Sequence, residues 1–278
     1  MSIQGPLEKM LTDGNDPVAY QLPVGDDVLP LNELIGQGLA LDFLHQISCC
    51  HCRAISRKSY GGGYCYPCFK KLAQCDLCVV SPDRCHYHLG TCREPEWGEA
   101  FCMQEHLVYL ANSSGPKVGI TRRGGEQQRW RDQGASQAVA IVGAATRHLS
   151  GVVEVMLRRY VTDRTEWRRL VSTDSPQVDL MGLRDELQAQ LPELPEGTRW
   201  LDGEAVTVIR YPIMRYGKVA RLTLTPEQDR IEGLLLGIKG QFLLFDHGVF
   251  NVRQHRSYHV RAETIAAPIE GDPQLEMF

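Results

Sequence analysis

Cys49, Cys52, Cys65 and Cys68 form two C-x2-C pairs with twelve residues between them. Two residues between cysteines let both sulfurs of a pair point into one tetrahedral site from a tight backbone knuckle, and a second knuckle across a short hairpin closes that site. The spacing predicts a structural zinc bound by all four thiolates. Cys50 and His51 fall inside the first knuckle and are not expected to be ligands. Cys75 and Cys78 repeat the spacing, and Cys85, His86, His88, Cys92, Cys102 and His106 follow. A second zinc is expected here with its ligand set open. Cys75, Cys78, Cys85 and Cys92 make a compact all-cysteine set. Cys102 and His106 make an equally good pair, which would pin the module to a strand beginning at Leu107. Four thiolates leave no coordination position for water, so both metals read as structural. A zinc hydrolase built on His86, His88 or His106 is the weaker reading. A thioredoxin-like role for one pair would need a βαβ context that the chain lacks.

Ten cysteines would read as disulfides in an oxidising compartment. The first ten residues, however, carry no basic stretch followed by an apolar run. The longest clearly apolar stretch, Ala138 to Ala145, is too short to span a bilayer. The expectation is a reduced, cytoplasmic protein with metal-bound thiolates. Its 278 residues give room for two domains or three small ones. The net charge of −4 conceals a segmental pattern: −6 over residues 1–48, +1 over 49–106, +6 over 107–171 and −5 over 172–278. One basic segment inside an acidic chain suits a local phosphate-binding surface, and equally suits a solvated helical face balanced by its flanks.

The elements that must position these residues follow from pattern and punctuation. Tyr20 to Val24 reads as a strand, with short strands and a helix-like turn from Leu31 to Leu44. Gly61-Gly62-Gly63 marks a hairpin, and Pro67 to Ala73 opens a helix at the second knuckle. Leu107 to Ala111 and Lys117 to Thr121 are strands joined by the turn Asn112 to Pro116. Glu126 to Gln133 is a helix stopped by Gly134. Val139 to Val142 is a third strand. Helices are predicted from Ser150 or Gly151 through Val161, over Thr165 to Val171 and near Leu183 to Leu191. Strand signals dominate from Glu204 onward: 204–213, 218–224, 231–238, 241–245 and 249–252. These predict a small antiparallel barrel, OB-like or SH3-like. The chain therefore reads as α+β and multi-domain. It divides into an N-terminal β-rich segment (1–48), a zinc-ribbon or treble-clef-like module (49–106), a small α/β domain (107–171), a linker with one helix (172–200) and a C-terminal β-rich domain (201–278).

Val108-Tyr109-Leu110, then Lys117-Val118-Gly119-Ile120-Thr121, then Arg129 and Glu154, together resemble the GIY-YIG nuclease superfamily over about residues 105–171. That superfamily has two signature strands, a helix with an arginine and a later helix with a metal-binding glutamate. Tyr109 matches the first signature tyrosine and Gly119 the second signature's glycine, while Lys117 stands where the second tyrosine is expected. The resemblance implies that Tyr109 helps activate water, Arg129 stabilises developing phosphate charge and Glu154 holds a divalent ion, Mg2+ or Mn2+. Lys117 could take over activation of water only with a lowered pKa. The plain alternatives are a half-buried strand tyrosine, an Arg129 paired with Glu126 or Asp132, and a Glu154 complementing its helix dipole. Gly90 to Glu99, Val108 to Arg122, Arg129 to Ala135 and Gly237 to Arg253 are also similar to a bacterial and archaeal family known only as a domain of unknown function. That resemblance covers nearly all the chain and implies no activity.

The function expected from these readings is a zinc-containing, nucleic-acid-binding protein whose central domain is a divergent GIY-YIG-like nuclease, active or inactive, on DNA or RNA. The alternative is a zinc-stabilised protein-interaction scaffold whose acidic ends meet a basic protein partner. No phosphate-binding G-x-x-x-x-G-K-[ST] loop and no nucleophile elbow is present.

Overall fold

The structure is a computed structural model, described over residues 2–266. Residues 267–278 of the expected C-terminal domain lie outside the described residues. In chain order the strands are β1 (Ser2–Pro6), β2 (Leu11–Asp13), β3 (Ala19–Val24), β4 (Asp27–Pro30), β5 (Gly38–Ile47), β6 (His106–Asn112), β7 (Pro116–Arg122), β8 (Gln137–Ala144), β9 (Thr198–Trp200), β10 (Thr207–Val208), β11 (Arg221–Leu222), β12 (Arg230–Lys239), β13 (Phe242–Phe245), β14 (Val249–Asn251) and β15 (Tyr258–Ile265). The α-helices are α1 (Tyr66–Lys71), α2 (Leu77–Val80), α3 (Pro95–Phe101), α4 (Glu126–Asp132), α5 (Arg147–Leu157), α6 (Trp167–Leu170) and α7 (Leu180–Gln190).

The strands form three sheets: a seven-stranded one ordered β1-β15-β5-β12-β13-β14-β11, a central one ordered β10-β8-β6-β7 with β9 also on β8, and a small β2-β3-β4 sheet. The C-terminal strands thus make an open sheet, where a closed barrel was expected. The physical reason is β5. Its residues Gly38 to Asp42 pair with β12 on one side and Gly38 to Phe43 and Ile47 with β15 on the other, so the N-terminal segment is built into the C-terminal sheet. The strands expected over 204–213 and 218–224 shrink to β10 and β11.

In the central sheet β6 is flanked by β7 and β8, both antiparallel to it. Its alternation divides two cores. Tyr109 and Ala111 join the large core of the seven-stranded sheet together with Trp130 of α4. Val108 and Leu110 face a second core with Val153 and Leu157 of α5 and Leu180 and Leu187 of α7. Buried on both faces, β6 and β8 read as unbroken apolar runs. α4 ends as predicted, with Gly134 at φ +68° just past its C-cap. α5 begins three to four residues earlier than predicted, because the Thr146 hydroxyl accepts the Leu149 amide and caps it.

Candidate functional site

The first cysteine quartet assembles where the chain leaves β5. The Cys49 amide donates to the Ala54 carbonyl and the Arg53 amide to the Cys49 carbonyl, with Arg53 at φ +62°, which makes the first knuckle. Tyr60 and Tyr64 pair across the triglycine turn, and Cys65 is the N-cap of α1, which carries Cys68. The four sulfurs lie within 4.8 Å of one another, and Cys52 and Cys65 are 3.7 Å apart. A tetrahedron with metal–sulfur bonds of about 2.3 Å has edges of about 3.8 Å, so the cage fits a zinc ion. Burial raises the Cys49 thiol, but backbone N–H donors at Cys52, Cys65 and His51 outweigh it and bring Cys49 to about 6. Cys68 moves the other way, raised by burial and by the neighbouring sulfurs, so the quartet favours its first thiolate at Cys49 and leaves the others to a bound metal.

The second set of cysteines divides. Burial pushes Cys75 up to about 11, and the charges it senses are those of Cys50, Arg93, Cys49 and Glu94, on the first knuckle's side. Burial also pushes Cys78 up to about 11, and its neighbours are Asp76, Cys85, Cys102 and Cys92. Cys102 is raised by burial and senses Cys85 and Cys92 as well as Arg147. Cys92 and Cys102 meet at α3, where a Cβ on Gly98 would stand 3.4 Å from the Cys92 sulfur and the Cys102 amide donates to the Gly98 carbonyl at 2.7 Å. Asp76, Cys78 and His86 also present ligand atoms within 4.8 Å of one another. The Asp76 carboxylate, though, already accepts the Cys78 amide and an Arg93 guanidinium N–H at 2.5 Å. His106 is buried, bonds the Gln104 carbonyl through Nδ1 at 2.7 Å and is held low by burial, with Arg147 and Arg122 facing it.

Tyr109 and Lys117 lie on the paired strands β6 and β7, β7 being the edge of the central sheet, and Arg129 of α4 and Glu154 of α5 act electrostatically on both. Tyr109 pairs with Gly119 across the hairpin, and its hydroxyl donates to Gln133 Oε1 at 2.9 Å with the Arg129 guanidinium against it. Burial raises Tyr109. Gly119 has a steric reason: a Cβ there would lie 2.6 Å from the Tyr109 hydroxyl. Lys117 is only 6% exposed. Burial, with Arg129 adding repulsion, brings it down to about 8, while Asp163 and Glu154 pull the other way. Glu154 is raised by burial within the fields of Arg158, Asp163, Arg129 and Arg147. Such a mutually perturbed acid, base and cation set has the makings of proton-transfer and anion-stabilising chemistry.

Residue patterns missed Arg147. It opens α5, its Nη2 donates to the Val79 carbonyl at 2.6 Å and its amide to the Cys102 carbonyl at 2.8 Å, so it joins the Cys-rich segment to the central sheet. The signal was the Thr146 cap, which places Arg147 in the first turn. Gly151 of the same helix admits the close approach of Pro82 and Asp83, 2.6 Å from where its Cβ would be.

Residues 36–260 match the model of a family described as a protein of unknown function, DUF2797, and the chain belongs to that family. No curated protein and no solved structure matches it. No helix among the described residues is long and apolar enough to cross a membrane.

Proposed function

We propose that this protein is a zinc-containing, nucleic-acid-binding protein whose central unit is a divergent GIY-YIG-like nuclease. The observation that carries the reading is the β6–β7 hairpin that seats Gly119 against the Tyr109 ring, with Lys117 on β7, Arg129 on α4 and Glu154 on α5 acting electrostatically on one another. The order β6-β7-α4-β8-α5 and the +6 balance of residues 107–171 support it. In this reading Arg129 stabilises charge on the phosphate under attack, and Glu154 would hold Mg2+ or Mn2+, which would supply further positive charge there. Lys117 takes the place of the missing tyrosine. Its neutral amine accepts a proton from the water that attacks phosphorus, while the bond from phosphorus to the leaving oxygen breaks. Tyr109, with its hydroxyl committed to Gln133, positions Arg129.

One zinc belongs to Cys49, Cys52, Cys65 and Cys68. A second zinc is proposed on the second cysteine group, where Cys78, Cys85, Cys92 and Cys102 act electrostatically on one another while Cys75 answers to the first knuckle. Metal analysis should then find two zinc ions per chain, one in Cys85→Ser and two in Cys75→Ser.

The function is tested with labelled DNA and RNA at rising salt, and with Mg2+ or Mn2+ for cleavage, using wild type and Arg129→Ala with Glu154→Gln. Binding should weaken steeply with salt, and cleavage should vanish in the double variant. Absence of binding at low salt would overturn the reading. Binding without cleavage under either ion would reduce it to recognition. A stoichiometric co-purifying protein, free of nucleic acid, would favour the scaffold.

A further inference from the structure

Between the Cys-rich segment and the central sheet lies a pocket of about 370 Å³. It has two unlike sides. From the central sheet and its helices come three arginines, Arg122 of β7, Arg129 of α4 and Arg147 of α5, with His106 of β6 also in the lining. The Nε atoms of Arg129 and Arg147 are buried and have no hydrogen-bond partner among the described residues. A buried guanidinium N–H without an acceptor is costly, and an anion oxygen is the acceptor that suits it best. The one carboxylate among the lining residues, Asp132, is already engaged by Lys9 Nζ at 2.9 Å and by the amides of Gln128 and Gln241.

From the Cys-rich segment come two aromatic rings of α3. Trp97 and Phe101 stack, with centroids 4.9 Å apart and planes 19° from parallel. The Arg122 guanidinium lies over the Phe101 ring at 5.4 Å. Arg122, Phe101 and Trp97 form a column that ends at Trp97, which has no further ring neighbour among the described residues. Phe101 is 44% exposed, so the platform is open to solvent. Cations for a phosphate beside an aromatic platform for a π-face are the two components by which proteins hold an unpaired nucleotide. The volume is of the order that takes one nucleotide, and a stacked duplex cannot present a base to it without extruding that base.

We infer that this pocket receives a single unpaired nucleotide of a bound strand, its base extending the Trp97–Phe101 stack and its phosphate meeting Arg129 and Arg147. The inference rests on the nucleic-acid reading above and sharpens it: the substrate is single-stranded, frayed or carries an extruded base. It also gives the Cys-rich segment a share in recognition, since α3 is held between Cys92 and Cys102.

The test is fluorescence anisotropy with a labelled unstructured oligonucleotide of about twelve nucleotides and the blunt duplex of the same sequence, at low salt. The proteins are wild type, Trp97→Ala with Phe101→Ala, and Trp97→Phe as the aromatic-retaining control, each checked for wild-type zinc content. Wild type should prefer the single strand. The double-alanine variant should lose about tenfold or more of single-strand affinity, the size of one lost aromatic–base stack, with duplex binding nearly unchanged. Trp97→Phe should retain most of the single-strand affinity. Equal affinity for both forms, or an unchanged single-strand affinity in the double-alanine variant, would overturn the pocket assignment and leave nucleic-acid binding standing. Absence of binding to either probe in wild type would overturn both.

Discussion

Between Cys49 and Phe101 the longest helix has seven residues, and large apolar side chains stand in water, among them Ile55 at 73% exposure and Val80 at 79%. In the adjoining sheet every residue of β6 and of β8 is buried. The two regions touch through Arg147 and Gly151, yet they are held by different forces. The sheet is held by two apolar cores with backbone pairing on both sides of β6. The Cys-rich segment has too little apolar burial of its own, so the proposed zinc would supply its folding free energy. The difference teaches where each region is vulnerable: one to loss of a ligand, the other to a change of volume or charge inside a packed interior.

The largest effect that separates them is loss of metal. Cys65→Ser, or a strong chelator, should release the first zinc and open the segment 49–101, because structural zinc contributes on the order of 10 kcal/mol to such modules. Limited proteolysis checks this, with cuts expected within 49–101 while the fragment carrying β6 to β8 survives. Equal fragility of both regions would break the comparison.

A buried charge comes next. Lys117→Met should raise the melting temperature at pH 7 and remove the lysine's contribution to the basic site. Burial holds the folded Lys117 at about 8 against 10.5 for the free side chain. The unfolded chain therefore binds more protons between about pH 8 and 10.5, and stability rises with pH across that window. The burden of the charge below pH 8 is on the order of 3 kcal/mol. Lys117→Met should flatten this rise, as thermal melts from pH 7 to 10 would record, and any nuclease activity of wild type should climb through about pH 8 for the same reason.

A smaller loss, about 1–3 kcal/mol, is expected for Gly119→Ala, since Tyr109 is fully buried and cannot swing away from the new methyl. Denaturant midpoints measure it, and Gly62→Ala, with open space around its Cβ, supplies a turn-strain control. The smallest is Thr146→Ala, about 1 kcal/mol from the lost cap of α5. It should also loosen Arg147, so a single-strand affinity lowered along with stability sharpens the link between the two regions.

The same contrast explains what could be read from the chain. The quartet of cysteines is local: its ligands span twenty residues, and spacing alone places them. The Tyr109–Gly119 pair and α4 are also local, one hairpin and one helix with a glycine stop. Pairing of Gly38–Ile47 with Arg230–Lys239 and Tyr258–Ile265 leaves no local mark, so the C-terminal strands looked self-sufficient and a barrel seemed the natural closure. The pocket at Trp97 and Arg147 escaped for a related reason, because its walls come from segments whose contact only the folded molecule displays. Asp76 was unremarked because its work, capping Cys78 and pairing with Arg93, uses no motif.

The placement of β5 has a consequence for how the molecule is made. It leaves the ribosome well before its two partner strands, which lie nearly two hundred residues or more further along the chain. The hairpin of β6 and β7, with β8 and the helices around it, can associate as it appears. Meanwhile β5, a ten-residue strand with the apolar stretch Gly38–Leu41 and both edges unpaired, must wait through nearly two hundred residues of synthesis. At bacterial or eukaryotic elongation rates of about 5–20 residues per second that wait is about ten seconds or more. For that interval the nascent chain carries a segment suited to pairing with a neighbour's strand, and a holding chaperone, or swift closure by β12, decides between native sheet and aggregate.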